Sequence, residues 1–250
     1  LKKKRFGSGS RGISFYHKKK INTNKQYIIQ EFINGIEVSI ETVSLNSKHK
    51  LLNVSYRILK NYKSASVIYS PIFDKIINKF FKEEAIKVLK KLNVLNGICH
   101  IEAILTNDKK FFPIDINIRT GGAGISSQLI PSTMNLNLTK IDFKILSNQL
   151  NTMKKINIKQ NLKYGILIYE YKNNPHLKKK LKNFKDYGNY TSIKNKFKKN
   201  LEIDKSRTSF LFIQSSSKLK LLKKIKNILD IKSFSLIEKI EKNLLRIIKN

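Results

Sequence analysis

The residues best suited to chemistry lie between His100 and Gly124. That stretch reads His-Ile-Glu-Ala-Ile-Leu, a polar break, then Phe-Phe-Pro-Ile-Asp-Ile-Asn-Ile-Arg-Thr-Gly-Gly-Ala-Gly. Ile98, His100, Glu102 and Ile104 share one face of a two-residue alternation, and Asp115, Asn117 and Arg119 share one face of a second. Such alternation predicts two strands, and Thr106-Asn107-Asp108-Lys109 between them predicts a hairpin turn. An antiparallel pair then brings Glu102 beside Asp115 and Asn117. Two carboxylates and an amide oxygen form a hard oxygen set, which suits Mg²⁺ held jointly by protein and phosphate oxygens. A plain hairpin with a polar, solvated face is the simpler alternative. Three coordinating groups on one face, an arginine extending the row and a glycine cluster after it favour the metal reading.

The elements that must position these groups follow in chain order. Lys3-Lys4-Arg5-Phe6 leads into Gly7-Ser8-Gly9-Ser10-Arg11-Gly12. Glycines and small hydroxyl residues let backbone amides approach an anion, and a lysine before the loop adds a point charge. No lysine closes the loop as in a P-loop, and by itself the stretch also reads as a flexible linker. Tyr27–Ile33 is apolar enough for a central strand, Asn34-Gly35 signals a turn, and Glu37, Ser39 and Glu41 alternate with Val38 and Ile40. A further strand is expected over 50–60. The spacing predicts a helix from Ile72 to Leu92, with Ile76, Ile77, Phe80, Phe81, Ala85, Val88, Leu89 and Leu92 recurring at helical intervals. Gly121–Gly124 is a second anion-friendly loop, and a helix is expected from Met134 to Leu146 after Pro131-Ser132-Thr133. Beyond a lysine-rich boundary at 150–160, strands are expected at Tyr164–Tyr171 and Phe210–Ile213. Lys178–Lys199 reads as a solvated loop or weak helix, and Lys218–Leu229 and Ser235–Lys249 as amphipathic helices. His176 sits in an Asn-Asn-Pro-His stretch and reads as a turn residue.

Composition bounds the function classes. The 250 residues suffice for one large domain or two small ones. A single cysteine, Cys99, excludes a disulfide framework and a cysteine-based zinc site. No apolar run approaches a membrane span and no signal peptide is visible, so the expected location is cytoplasmic. The net charge of +34 rests on 51 Lys+Arg against 17 Asp+Glu. Basic nucleic-acid binding is the alternative this raises, but arginines are few and scattered, and lysine, asparagine and isoleucine recur throughout. The charge still attracts anionic ligands such as nucleotides. The chain opens on Leu1 rather than methionine, from which a longer protein with an upstream domain is expected.

Taken together, these pieces resemble the ATP-grasp superfamily, in the branch of carbamoyl-phosphate-synthase-like and biotin-carboxylase-like carboxylate ligases. The resemblance covers about residues 1–150 and four features arrive in family order. Lys3 and Gly7, Ser8, Gly9 and Ser10 resemble the phosphate-binding lysine and mobile loop, with Lys4 where proline is usual. Gln30-Glu31-Phe32-Ile33-Asn34-Gly35-Ile36-Glu37 resembles the adenine-binding connector. Glu102, Asp115 and Asn117 resemble the metal ligands, with aspartate for the commoner glutamate at 115. Arg119 and Gly121-Gly122 resemble the contact with substrate and intermediate.

The resemblance implies an α+β fold, an antiparallel sheet with helices on one face, followed by a smaller α/β region. It implies an ATP-grasp region over 1–150 that holds nucleotide and metal, and a small C-terminal domain over 151–250. It implies ATP and Mg²⁺ or Mn²⁺ as cofactors, and Lys3 and Arg119 as catalytic. Lys3, Gly7, Ser8, Gly9, Ser10, Gln30, Glu31, Phe32, Ile33 and Glu37 would bind nucleotide. The implied activity is ligation: a carboxylate is activated as an acyl-phosphate and an amine displaces phosphate. A degenerate domain that binds ATP without turnover is the alternative within the family. The expected partners are a small carboxylate and an amine, with no membrane or nucleic acid; a homodimer stays open.

Overall fold

A computed structural model describes residues 1–6, 13–16, 26–58, 68–150, 156, 163–171, 189–192, 207–226 and 231–250. Gly7, Ser8, Gly9, Ser10, His176 and most of 178–199 lie outside the described residues. Ten strands are described: β1 (Lys2–Lys4), β2 (Tyr27–Ile29), β3 (Ile36–Leu45), β4 (Lys48–Ile58), β5 (Ile68–Pro71), β6 (Gly97–Leu105), β7 (Phe111–Asn117), β8 (Tyr164–Tyr171), β9 (Asn189–Ser192) and β10 (Arg207–Ser215). The helices are α1 (Lys75–Lys91), α2 (Ile130–Met134), α3 (Leu138–Leu146), α4 (Lys218–Ile225) and α5 (Ile231–Lys249), with a π-helical turn at Ile125–Leu129 leading into α2. The α+β expectation for the fold holds, with helices on both faces of the sheet rather than on one.

β1 and β2 form a small ribbon of their own. The other eight strands make one sheet in the order β7-β6-β3-β4-β5-β8-β10-β9, with every neighbouring pair antiparallel. Strands on both sides of residue 150 therefore join the same sheet. Three of the expected elements change, the first being the Met134–Leu146 helix, which is instead α2 ending at Met134 and α3 starting at Leu138, with Asn135 left-handed between them. Tyr27–Ile33 is not a central strand: only Tyr27–Ile29 is strand, it pairs with β1, and Ile29 is 49% exposed. Apolar residues there coat an outlying ribbon rather than enter the core. Asn189–Ser192 is strand where a loop or weak helix is expected, because it pairs with β10.

One face of the sheet is apolar. Val38 and Ile40 of β3, Val54 and Tyr56 of β4, and Cys99, Ile101, Ala103 and Leu105 of β6 are buried there. They meet Ile77, Phe81, Ala85 and Leu89 of α1, a four-residue stripe, together with Leu221 and Ile225 of α4 and Ile237, Ile240 and Leu244 of α5. Asp74 caps α1, its Oδ1 accepting from the backbone N–H groups of Ile76 at 2.8 Å and Ile77 at 3.0 Å.

The opposite face divides along its length. At one end Val43, Leu45 and Ile98 pack beneath Ile125, Leu129, Ile130, Met134 and Leu138 of the π-turn, α2 and α3. Asp142 of α3 accepts from the N–H of Ile98 at 2.9 Å, which ties that helix to the start of β6. Gly97, with φ +110°, supplies the left-handed turn into the strand. Leu167 of β8 and Phe212 of β10 belong to the same apolar cluster, while the middle of this face along β3, β4, β6 and β7 carries polar side chains.

Candidate active site

Strand register builds the site. Glu102 of β6 lies opposite Asp115 of β7 on one side and Ser39 of β3 on the other. His100 lies opposite Asn117 and Glu41. Glu41 lies opposite Asn53 of β4, and Ser39 opposite Ser55. Directly opposed residues share a face. The polar face therefore carries Ser39 and Glu41, Asn53 and Ser55, His100 and Glu102, and Asp115 and Asn117, in four adjacent strands. The side-by-side placement of Glu102 and Asp115 expected from the two alternations holds. The β3–β4 register shifts at Glu41/Thr42, where Leu52 of β4 is the extra, unopposed residue, while β3 keeps its register with β6.

Arg57 lies between two carboxylates, its Nη1 2.7 Å from Glu37 Oε1 and its Nη2 3.1 Å from Glu102 Oε1. His100 lies between two more: Nδ1 is 2.6 Å from Glu41 Oε1, and Nε2 is 3.5 Å from Glu102 Oε1. A chain of charged side chains, Glu41–His100–Glu102–Arg57–Glu37, thus runs across β3, β4 and β6. Burial pushes the Glu37 carboxyl up, with Arg57 opposing and Glu102 adding to the rise. Burial disfavours a charged His100, yet hydrogen bonds to Glu102 and Glu41 and their negative charges prevail and raise it to about 9. Burial also pushes Glu41 up, against its hydrogen bond to His100, that ring's charge, a backbone hydrogen bond from Gly121 and the charge of Arg119.

At the rim, Asp115 is exposed and Asn117 half-buried, and Asn117 Nδ2 donates to Asp115 Oδ2 at 2.9 Å. The amide's Oδ1 remains an oxygen donor. Arg119 is exposed and donates through Nη1 to the Thr120 carbonyl at 2.9 Å. Lys3 of β1 is half-buried, and its charge acts on Glu37. Gln30 and Glu31 are exposed in the segment between β2 and β3, with Phe32 edge-on to Phe15 at 5.3 Å and Ile33 half-buried. Gly35 passes against the end of β6, where a Cβ would lie within 2.6 Å of Ile104 Cγ2 and closer still to the Leu105 carbonyl. Only glycine fits that crossing.

Among the described residues no three His, Cys, Asp or Glu side chains form a preformed metal cluster. The donor set of Glu102, Asp115 and Asn117 instead offers two carboxylates and an amide oxygen on adjacent register positions. It fits a hard divalent cation whose remaining positions are filled by phosphate oxygens.

Glu41, His100 and Arg57 are participants that motif reading does not single out. His100 precedes Glu102 by two residues and so shares its face, a signal present in the sequence. Glu41 and Arg57 become neighbours of the site only through the β3–β6 and β3–β4 registers. No helix among the described residues is long and apolar enough to cross a membrane.

Known proteins resemble this chain in sequence and in fold. Residues 1–123 match the family profile of the ATP-grasp domain. Over 98 residues the chain is 35% identical to tyramine–L-glutamate ligase of Methanocaldococcus jannaschii, covering 38% of this chain and 30% of that protein. N5-carboxyaminoimidazole synthetase from Staphylococcus aureus, complexed with ADP, superposes with TM-score 0.64 and 12% identity over 92% of this chain and 60% of its own. L-amino acid ligase from Bacillus licheniformis superposes with TM-score 0.57 and 14% identity over 79% of this chain and 53% of its own. The two structures share the fold, and this chain spans less than two thirds of the length of any of the three relatives.

Proposed function

We propose, from the match of residues 1–123 to the ATP-grasp domain profile, an ATP-dependent ligase that joins a carboxylate to an amine. The observation that carries the reading is the register of Glu102 opposite Asp115, with Asn117 and Arg119 following at alternate positions. Glu102, Asp115 and Asn117 would hold Mg²⁺, which supplies charge neutralisation for the transferring phosphoryl group.

The protein's part is positioning and electrostatics. A carboxylate oxygen of the acid attacks the γ-phosphorus of ATP; that O–P bond forms as the β–γ bridging bond breaks and ADP leaves with the bridging oxygen. The amine nitrogen then attacks the acyl carbon, phosphate departs with the C–O electron pair, and the nitrogen loses a proton. Lys3, with the loop Gly7, Ser8, Gly9 and Ser10, would face the phosphates. The segment Gln30–Ile33 would receive the adenine, Glu37 the ribose, and Arg119 the acyl-phosphate. Glu37 would do so while bonded to Arg57, which fixes the carboxylate's direction. Residues 1–150 form the nucleotide and metal region in this reading, and a cytoplasmic location goes with it. The ligase names of the relatives support amines and amino acids as a first substrate panel.

Hydroxylamine trapping tests the chemistry. The chain is incubated with ATP, Mg²⁺ and a panel of carboxylic acids, and acyl hydroxamate is measured. Hydroxamate that requires ATP, metal and one class of acid is expected. ATP hydrolysis with no acid dependence, or binding of ATP without any phosphoryl transfer, would contradict ligation.

A further inference from the structure

Resting on the ligase reading above, we propose that Glu41 and His100 are a buried pair of positioning residues that sets the Glu102 carboxylate and the Arg119–Gly124 loop in one fixed arrangement. Three observations meet here. Glu41 is fully buried, His100 is 4% exposed, and their side chains touch at 2.6 Å across directly opposed positions of β3 and β6. The other ring nitrogen, Nε2, lies 3.5 Å from the same Glu102 oxygen that Arg57 Nη2 meets at 3.1 Å. That oxygen thus faces two basic side chains. Gly121 closes over the pair: a Cβ on it would overlap Glu41 Oε1 and would lie 2.8 Å from His100 Nδ1, and its backbone hydrogen-bonds to Glu41.

A purely packing role explains this poorly. The next residues along the same face are Val43 and Ile98, both fully buried in an apolar cluster. Apolar side chains at 41 and 100 would extend that cluster without the desolvation that a buried ionisable pair imposes. Glu41 Oε2 has no hydrogen-bond partner among the described residues, which adds to that penalty. What the pair does that valine and isoleucine could not is contact, at once, a carboxylate of the candidate metal set and the backbone of the loop that follows Arg119. Groups around a metal set that orient its ligands commonly alter affinity or activity by 10–100-fold when removed.

The test measures Mn²⁺ binding to the full chain with ATP present, by the loss of the free-ion paramagnetic signal, alongside ATP binding without metal and thermal unfolding. Glu41→Gln and His100→Ala are each expected to weaken Mn²⁺ binding about tenfold or more, with metal-free ATP binding unchanged. Their double variant is expected to be no worse than the weaker single one, because the two act as a unit. Gly121→Ala should reproduce the loss although it removes no functional group. His100→Gln, whose amide reaches the Nε2 position, should retain more Mn²⁺ affinity than His100→Asn, whose amide reaches only Nδ1. Glu41→Gln is nearly isosteric and keeps the test open if His100→Ala does not fold. Lowered melting temperatures with unchanged Mn²⁺ affinity would overturn the proposal. If Asp115→Asn loses Mn²⁺ while the pair variants keep it, the positioning role fails and the ligase reading stands. If the unaltered chain binds no Mn²⁺ with ATP, both fail.

Discussion

Arg57 sits between Glu37 and Glu102 with 10% of its side chain exposed, and this single guanidinium holds two carboxylates that are themselves mostly covered. Removing it while keeping its stem leaves both charges without that partner. Arg57→Met is expected to lower stability by about 3 kcal/mol near neutral pH, in the range found when one member of a buried pair is deleted. The deficit should shrink in acid, where the carboxylates take up protons; urea denaturation at two pH values measures it, and an equal deficit at both would place the cause in packing. His100 gives a second pH signature. Its folded value near 9 stands above the ordinary 6.5, so the folded chain holds a proton that the unfolded chain releases between those values. That stability is fully present below about 6.5 and is lost as pH rises towards 9. Unfolding free energy should therefore decline across this window in the native chain, and His100→Gln should flatten the decline. Parallel curves for the two would refute the assignment.

Helix α1 covers the apolar face behind the site, and its burial is concentrated in one stripe. Phe81→Ala, at a fully buried position touching Phe80 and Phe111, should cost about 3–5 kcal/mol. Asp74→Ala, which deletes the cap and no packing, should cost about 1 kcal/mol. Chemical denaturation of both variants separates the two contributions; a cap loss as large as the core loss would contradict the stripe as the main anchor.

The same elements explain what was legible from sequence. The β6–β7 hairpin was readable because both strands alternate cleanly and a polar turn separates them, and Glu102 and Asp115 came with it. Helix α1 was readable from its 3.6-residue spacing. Tyr27–Ile33 misled because an apolar run does not reveal whether its partner is a core strand or the outlying β1. Glu41 read as one more polar position of an alternating strand; its burial depends on Gly121, 80 positions later, folding onto it. Arg57 continues the alternate positions of Asn53 and Ser55, and its role depends on a register that no local pattern encodes.

At the scale of the whole molecule, an eight-stranded antiparallel sheet separates an apolar face, packed under α1, α4 and α5, from a face that turns polar over β4, β3, β6 and β7. The polar stretch costs the fold buried surface and gives it a row of oxygen donors. On the ligase proposal, this row serves the transfer of a phosphoryl group from ATP to a carboxylate. Asp115 is exposed at the rim, so Asp115→Asn changes a charge and very little packing. The measurement is acid-dependent phosphate release from ATP and Mg²⁺ by the native chain and by Asp115→Asn, with circular dichroism as the folding control. Release by the native chain is expected, with a loss of at least about 100-fold in the folded variant, equivalent to roughly 2.7 kcal/mol in the barrier. A folded Asp115→Asn that releases phosphate at the native rate would contradict it.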